Sequence, residues 1–481
     1  MKKEILLYLI IFAPLLGALM LPFMGRFSSR LRNALALILT LISLASSVLL
    51  VPSALSGAPV AIKKLFPLGF NLIFAADGLA VFMAMVSSSI SAIIVFYSFG
   101  YIKHYDNQDE YYSMVLLFLG AMMGLIFSGN LILMYLFWEM TAFTSWRLIG
   151  FFREDAHVLK ADKAFLVTCF GAVVMLIGFI MLYQQTGSFD LSVIKESLKG
   201  NPLSNLSVFL ILIGLFAKSA TLPFHTWLPD AGVAPSPVTA LLHAAILVKI
   251  GVYVYARLFV ATFAVGELWH TVVPAIAGIS ALVAAGAALI DTDLKRIIAY
   301  STISQIGFIF LGFAVGTNIG IAGALLFILM HGLAKAGLFL CAGIVEQNTK
   351  IKDITKLGGL IKTMPVTAAA FLFCAFSVMG IPPFGGFFAK YMVITASLLS
   401  GHIFIALLFL LCSLFTILYL FRAFNAVFLG EMKTQAAKEG SPVMVICVSL
   451  LAFLSLAGGI LIQYPNSFVQ AVVNQIAAVV K

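Results

Sequence analysis

A chain of 481 residues in which 62% are hydrophobic and only 10% are charged lies far below the roughly 25% charged content of a soluble domain. The composition therefore excludes an ordinary soluble fold and predicts a polytopic membrane protein. The formal net charge of +10 does not indicate a nucleic-acid partner, because the basic residues stand in short stretches between apolar runs and not in one basic patch.

Apolar runs long enough to cross about 30 Å of hydrocarbon recur along the whole chain. Because a lipid-facing backbone must satisfy its own hydrogen bonds, and the alternating pattern of barrel strands is missing, we predict an all-α polytopic membrane protein with about 14 transmembrane helices. The first run lacks a small-residue cleavage site and is predicted to be retained. The predicted spans cover residues 4–24, 33–54, 76–100, 112–129, 131–152, 162–184, 205–228, 237–260, 267–290, 295–316, 320–345, 364–400, 402–428 and 443–464.

The basic residues of the loops are unevenly shared between the two faces of the predicted bundle. One face holds sixteen of them and the other holds eight, which include Lys2 and Lys481. The positive-inside rule makes the richer face cytoplasmic. Both termini are therefore expected on the outer side of a prokaryotic cell membrane. The richer face carries Arg26, Arg30, Arg32, Lys103, Arg153, Lys160, Lys163, Lys295, Arg296, Lys350, Lys352, Lys356, Lys362, Arg422, Lys433 and Lys438.

Five further basic residues lie inside predicted spans, where charge is costly. On insertion scales each costs about 2.5 to 3.5 kcal/mol at a helix centre, so they need partners, water or a function. Two histidines and one glutamate lie at comparable depth, each in a span that also carries one of these basic residues. The five basic residues are Arg147, Lys218, Lys249, Lys335 and Lys390, and the other three are Glu139, His243 and His331.

Two of the predicted spans are interrupted beside a lysine. In "FAKSATLPFHTWLP", Pro223 lacks an N–H and its ring crowds the preceding turn, so the seventh span should break just after Lys218. In "FSVMGIPPFGGFFAKYM", two prolines and three glycines interrupt the twelfth span just before Lys390. Two such breaks, five spans apart, favour a pair of inverted five-helix repeats, the arrangement that marks ion sites in transporters.

These breaks predict a division of the chain into four parts. Residues 1–110 hold helices 1–3, and residues 111–262 form the first inverted repeat with helices 4–8. Residues 263–430 form the second inverted repeat with helices 9–13, and residues 431–481 hold helix 14. An odd number of spans in each repeat places the two copies in opposite orientations, so that a cavity open to one side in the first copy is open to the other side in the second.

Several long motifs occur in order along the chain: "LPFHTWLPDA", "APSPVTALLHAAILVKIGVY", "DLKRIIAYSTISQIGF", "HGLAKAGLF" and "GIPPFGGFFAK". With these motifs the chain resembles the antiporter-like subunit family shared by respiratory complex I, Mrp-type sodium/proton antiporters and membrane-bound hydrogenases. The resemblance covers nearly the entire chain. It implies fourteen core helices with broken helices 7 and 12, and a proton path along the membrane midplane.

The resemblance also assigns roles to residues of this sequence. Glu139 in "LFWEM" is similar to the family's fifth-helix glutamate, and Lys218 to its partner on the broken seventh helix. The implied partners are homologous antiporter-like and small membrane subunits of a larger complex, with protons, and as an open alternative Na+, as the transported ions. The implied relay continues through His243 and Lys249 on helix 8, His331 and Lys335 on helix 11, and Lys390 after the second break.

Three features have a structural alternative beside the functional one. Arg147 stands where the family pattern predicts an aliphatic residue, and we expect it to snorkel to the cytoplasmic surface and pair with Glu154 or Asp155. His225 and Asp230 follow the first break, where proton uptake and local turn formation remain equal alternatives. Hydrogen bonding between helices is expected of the polar stretch Ser301, Thr302, Ser304 and Gln305.

No cofactor is expected in this chain. Its five cysteines fall in apolar spans without paired spacing, and no glycine-rich phosphate loop follows a strand. Any redox chemistry would then belong to partner chains, which leaves open whether the protein is part of an enzyme. Burial disfavours the charged form of a lysine and a nearby carboxylate favours it, so buried lysines can act as switchable proton carriers. We therefore predict a proton-translocating subunit, with an autonomous solute transporter and a scaffolding subunit as alternatives.

Overall fold

The computed structural model describes residues 3–56, 60–64, 71–434 and 438–480, so that Lys2 and Lys481 lie outside the described residues. The helices are α1 (Lys3–Phe27), α2 (Ser29–Leu55), α3 (Gly78–Tyr101), α4 (Gln108–Phe127), α5 (Leu131–Ile149), α6 (Asp155–Thr186), α7 (Leu191–Leu198), α8 (Asn205–Lys218), α9 (Trp227–Asp230), α10 (Ser236–Ala240), α11 (Leu247–Tyr255), α12 (Glu267–Ile290), α13 (Leu294–Ala314), α14 (Asn318–Thr349), α15 (Pro365–Met379), α16 (Gly385–Leu399), α17 (Ile403–Phe428), α18 (Pro442–Ile460) and α19 (Gln463–Val480).

The helices confirm the predicted polytopic architecture. Within the described ranges, eleven helical segments are long and apolar enough to cross a membrane. The 19-residue α5 and the two interrupted spans, α8 with its following break and α15 with α16, complete the predicted set of fourteen. The prediction located every span but overlooked the amphipathic α7 and α19, because both are too polar to stand out in a search for membrane crossings.

A short hairpin is an addition to the helical prediction. Strand β1 (Val60–Lys64) pairs antiparallel with β2 (Leu72–Ala76), with Ile62 opposite Phe74. The hairpin connects α2 to α3 on the face of the bundle where both termini are expected. It carries Lys63 and Lys64, two of the eight basic residues on the face with fewer basic residues. The helical class stands, since these ten residues form the only sheet among the residues that the structure describes.

Both predicted breaks are present. The α8 helix ends at Lys218, and regular helix resumes only at Ser236, with the four-residue α9 between them. The α15 helix ends at Met379, the following Gly380 has a left-handed φ of +82°, and α16 begins at Gly385. A Cβ on Gly386 would lie 1.8 Å from the Ser377 carbonyl oxygen, so only glycine allows α16 to approach the end of α15 this closely.

The loops at the two ends of the bundle repeat one another with opposite orientation. Segment 129–131, before α5, pairs with segment 189–191 through two backbone hydrogen bonds of 2.9 and 3.0 Å. Segment 292–294, before α13, pairs with segment 352–354 through two bonds of 3.0 and 2.9 Å. Because α5 and α13 are five spans apart, the same contact occurs at opposite ends of the bundle, as inverted repeats require. The domain boundaries at residues 111, 263 and 431 stay a prediction.

The buried centre of the bundle consists of a few helices that other helices surround. In their most apolar 18-residue stretches, the segment Ser236–Val260 is 100% buried and α13 and α14 are 94% buried, whereas α2 and α17 are only 33% buried. The peripheral helices expose large apolar side chains such as Phe404 and Leu49, as expected of a surface that faces hydrocarbon. Most of the predicted ionisable residues therefore lie on the helices that lipid does not reach.

Candidate functional site

The seven predicted site residues lie on helices that pack in sequence across the bundle. Six of them are buried, with exposed fractions of 4% or less, and Glu139 is half-buried. We call this set the midspan row. Its members are Glu139 on α5, Lys218 at the end of α8, His243 and Lys249 on the span from α10 to α11, His331 and Lys335 on α14, and Lys390 on α16.

The first pair of the row is close but does not form a direct ion pair. The Lys218 Nζ donates a hydrogen bond of 3.2 Å to the Trp138 carbonyl and lies 5.3 Å from the centre of the Trp138 ring. Glu139, the next residue, acts electrostatically on the Lys218 ammonium but is not within the 4.0 Å of a salt bridge. One Glu139 carboxylate oxygen accepts a hydrogen bond of 3.4 Å from Cys169 Sγ. The prediction missed this cysteine, because nothing in the sequence links α6 to α5 at that point.

The first break places Lys218 against the next member of the row. Ser219 follows Lys218, and its hydroxyl would lie only 1.9 Å from a Cβ added at Gly251. Gly251 lies two residues after Lys249 on α11, so the absence of a side chain there lets the broken end of α8 pack directly against the helix that carries Lys249. The row therefore passes from the first pair to the second through a close backbone approach.

The eighth span is irregular where it carries its ionisable residues. His243 lies in a five-residue π-helical turn, Leu241–Ala245, and a second π turn covers Ala256–Val260. A π turn leaves backbone carbonyls without the usual helical partner, and such turns are frequent at functional sites. The Lys249 Nζ donates a hydrogen bond to the carbonyl of Ala244, within the first of these turns. The His243 ring packs against that of Phe339 on α14, with ring centres 4.4 Å apart and the ring planes tilted by 37°.

Lys249 joins the first repeat to the second. Its Nζ would lie 2.8 Å from a Cβ added at Gly332 of α14, so it faces the helix at the residue after His331. His331 in turn lies near Phe327, with ring centres 5.8 Å apart, and Phe327 lies 5.9 Å from the Lys390 Nζ. Lys249 and Lys390 thus both lie beside the segment of α14 that carries His331.

Lys335 has the most complete set of hydrogen bonds in the row. Its Nζ donates to the Ile298 carbonyl at 3.0 Å and to Ser301 Oγ at 2.7 Å, both on α13. Ser301 Oγ also accepts a bond of 2.8 Å from the hydroxyl of Tyr419 on α17. The predicted bonding between helices is therefore observed for Ser301. It is also observed for Gln305, whose amide donates to Thr416 at 3.2 Å. Sequence reasoning missed Tyr419, which resembles any other aromatic residue of an apolar span.

Lys390 lies beyond the second break, as predicted. Its Nζ is 3.5 Å from the Met379 carbonyl at the end of α15 and 4.6 Å from the centre of the Phe308 ring. Its stem packs on Gly380, where an added Cβ would lie 3.1 Å from Lys390 Cδ. The ammonium thus faces a carbonyl freed by the break and the faces of aromatic rings, which stabilise a cation without neutralising it.

Buried charges are normally paired, but those of the row are not. None of the four lysines takes part in the salt bridges of the described residues. Several polar atoms along the row are also buried without a hydrogen-bond partner in the described part of the chain. They are Glu139 Oε1, Ser219 Oγ, both ring nitrogens of His243 and of His331, Ser304 Oγ, Gln305 Oε1 and Ser377 Oγ.

The prediction for Arg147 is wrong in its partner. Arg147 forms an ion pair with Glu110 on α4, which also pairs with Arg153 at 2.7 Å, and not with Glu154 or Asp155. Arg147, near the end of α5, and Glu110, near the start of α4, are both half-buried. Arg147 therefore does reach the surface, but it pairs with the neighbouring helix and not with its own loop. Asp230 is similarly held, by Lys163 and Arg296 at 2.8 Å each, which favours the structural alternative for this residue.

A bundle of two inverted five-helix repeats defines an antiporter-like membrane protein when its buried middle carries lysines and histidines that form no ion pair within the described part of the chain. The chain belongs to the NADH:quinone oxidoreductase/Mrp antiporter transmembrane family, whose model matches residues 128–416. It is 35% identical to the Na(+)/H(+) antiporter subunit A1 of Staphylococcus saprophyticus and 33% identical to that of Staphylococcus haemolyticus, over 95% and 98% of this chain. The chain spans only 61% and 62% of the length of these relatives.

Solved structures share the fold over its full length. A chain of the Mrp complex from Dietzia sp. DQ12-45-1b aligns with a TM-score of 0.91 at 24% identity, covering 100% of both chains. A chain of the membrane-bound sulfane sulfur reductase, an archaeal respiratory membrane complex, aligns with a TM-score of 0.90 at 24% identity, covering 98% of this chain and 99% of that one. At this identity the likeness establishes the fold.

Proposed function

We propose that this chain is a proton-translocating subunit of a multi-subunit Mrp-type antiporter, which exchanges protons for Na+. The relatives named as Na(+)/H(+) antiporter subunits support this proposal. A redox-driven respiratory complex is the second candidate, favoured by the likeness to the sulfane sulfur reductase chain. In both cases homologous antiporter-like and small membrane subunits complete the assembly, and any redox step takes place in other chains.

One observation carries the proposal: four buried lysines lie in a row without a salt bridge to any carboxylate of the described residues. A structural lysine would keep a permanent partner, because an unpaired buried ammonium is unstable. A lysine that exchanges its proton needs instead an environment that tolerates both the amine and the ammonium. Carbonyls, hydroxyls and aromatic rings provide it here. Buried polar atoms without protein partners are usually hydrogen-bonded to water, and such water would connect the row.

The geometry supports an ordered transfer along the row. Glu139 acts on Lys218, the break brings Lys218 to the helix of Lys249, and Lys249 faces α14 beside His331. From Lys335 and His331 the route continues to Lys390, which shares the aromatic residue Phe327 with His331. A change in the charge of one member alters the stability of charge on the next, so protons can advance by stepwise electrostatic coupling.

The two alternative functions have weaker support. A solute transporter needs a polar binding cavity at midspan. One cavity of about 540 Å³, between α8 and α12, is instead lined by apolar residues such as Phe216 and Trp269. Another, of about 390 Å³, is lined in part by charged residues such as Asp77 and Arg257 beside the hairpin, and neither cavity is lined by any of the seven row residues. A purely scaffolding subunit would keep its role when the ionisable residues of the row are replaced by neutral ones. The proposal predicts instead that such replacements stop proton movement.

The direct test of the proposal is the substitution Lys335→Met. It keeps most of the apolar length and removes one proton carrier, so we expect assembly to be normal and ion-driven proton movement to fall by roughly tenfold. The assay measures dissipation of a preformed pH gradient on addition of NaCl, in inverted vesicles that contain the whole complex. Lys356→Met, at an exposed loop lysine, is the matched control. Normal exchange by the Lys335→Met complex would favour the scaffolding role.

We further propose that both termini lie on the outer side of a prokaryotic plasma membrane. The distribution of basic loop residues supports this orientation. A cysteine at Lys356, in the loop before α15, should react with an impermeant maleimide only from the cytoplasmic side, and Ser197→Cys at the end of α7 only from outside. Both positions are exposed. Wild-type protein is the control, because it shows how far the five native cysteines react. Labelling of Lys356→Cys from outside in intact cells would show that the orientation is opposite to the one proposed.

A further inference from the structure

Tyr419 on α17 belongs to a hydrogen-bonded cluster that ends at a lysine of the midspan row. Its hydroxyl has two acceptors within reach, Ser301 Oγ at 2.8 Å and Thr416 Oγ1 at 3.2 Å, and its single proton goes to the nearer one, Ser301. The same Ser301 oxygen accepts from the Lys335 Nζ at 2.7 Å. Tyr419, Ser301 and Lys335 are each fully buried. The consecutive helices α13 and α14 and the more distant α17 therefore meet at one serine oxygen, and none of the motifs that indicate the row includes Tyr419.

The serine can serve both forms of the lysine. A hydroxyl is one donor and two acceptors, so Ser301 accepts from an ammonium and can donate to a neutral amine. When Lys335 is charged, Ser301 Oγ accepts from two donors at once, the ammonium and Tyr419. When Lys335 is neutral, the bonds can run in one direction, from Tyr419 to Ser301 and from Ser301 to the amine, and such chains strengthen one another.

The geometry points to Tyr419 as a positioning residue for proton release from Lys335, acting through Ser301. Tyr419 donates to Ser301 in both states, but only in the neutral state does this bond strengthen the one that Ser301 makes with the lysine. The tyrosine thus favours the state that follows proton release. This role rests on the proposed function, since it has meaning only if Lys335 exchanges its proton during transport.

Other titratable groups surround Lys335 and are unchanged by substitutions at Tyr419. His243 and Lys390 act on it electrostatically from neighbouring elements, and His331 does so from one turn away on α14. Two further titratable groups face α14. Cys374 on α15 lies beside Gly337, and Tyr97 on α3 donates a hydrogen bond from its hydroxyl to the Leu340 carbonyl. A difference between variants at position 419 therefore reports the lost hydroxyl.

The test compares Tyr419→Phe with Tyr97→Phe in the assembled complex. Both tyrosines are fully buried, and both hydroxyls donate a hydrogen bond at 2.8 to 2.9 Å, but that of Tyr97 goes to a backbone carbonyl. We expect Tyr419→Phe to shift the pH profile of transport toward higher pH by about half a unit, equal to about a threefold change in the protonation equilibrium. Tyr97→Phe should leave the profile in place.

Ser301→Ala is a second variant, for which we expect a shift in the opposite direction. It removes the acceptor of a charge-assisted hydrogen bond from the Lys335 ammonium, and such a bond is stronger than a neutral one. The charged form of Lys335 therefore loses more stability than the neutral form, and the pH profile should move toward lower pH. Opposite shifts would establish the positioning role. No shift in Tyr419→Phe, or shifts of both variants in one direction, would overturn it. Lys335→Met separates this inference from the proposed function: normal transport in Lys335→Met refutes the function itself, whereas loss in Lys335→Met with an unshifted Tyr419→Phe refutes only the role of Tyr419.

Discussion

Replacing Glu139 by glutamine should leave the complex assembled and reduce its proton movement roughly ten- to hundredfold. The substitution keeps the shape of the side chain and one acceptor oxygen, replaces the other oxygen with an NH2 donor, and removes the negative charge. Lys218 is fully buried, and its one hydrogen bond of 3.2 Å goes to a neutral carbonyl, so Glu139 is the carboxylate that acts on it. Without that charge the Lys218 ammonium loses its main electrostatic support, and the first transfer along the row slows.

The measurement is proton uptake in vesicles that contain equal amounts of wild-type and Glu139→Gln complex. Glu154→Gln is the matched control, because Glu154 is 68% exposed and pairs only with His157 at 3.6 Å. Its activity should stay within the error of the wild type. Full pumping by a correctly inserted Glu139→Gln complex would instead favour the scaffolding role for this chain.

Substitution of Lys390 should stop translocation in two different ways. Lys390→Met keeps the apolar length but removes the last proton carrier of the row. Lys390→Arg keeps a positive charge that hardly ever releases its proton. We expect both variants to lose on the order of a hundredfold in proton movement. If the complex is the redox-driven candidate, chemistry in its partner chains should continue uncoupled or slowly. The position supports this expectation, because the ammonium lies 3.5 Å from the Met379 carbonyl that the break leaves free.

The two Lys390 variants also separate two roles for the residue. Vesicle assays of the intact complex should show the same loss for both, and Lys362→Met and Lys362→Arg, at an exposed lysine in the loop before α15, should show none. Near-normal pumping by Lys390→Arg together with loss in Lys390→Met would indicate that Lys390 supplies only a fixed charge. The release step would then have to be sought elsewhere in the second repeat.

The sequence by itself determined the spans, the breaks and the membership of the midspan row. Hydropathy locates a membrane helix because hydrocarbon imposes the same requirement on every residue of the span. Pro223 and Pro383 indicate breaks because a missing N–H acts locally. Lys218, Lys249 and Lys335 are visible because a charge in an apolar run is costly wherever the helix packs.

Only the tertiary structure decided which partners these residues have. Arg147 binds Glu110 and not the acids of its own loop, Glu139 accepts from Cys169, and Lys335 meets Tyr419 through Ser301. These pairs are separated by tens to more than a hundred positions in the chain, and their meeting depends on which helix faces pack together. The residues next to a side chain in the sequence show how costly its burial is. The contact that offsets this cost comes from another helix and depends on the tertiary structure.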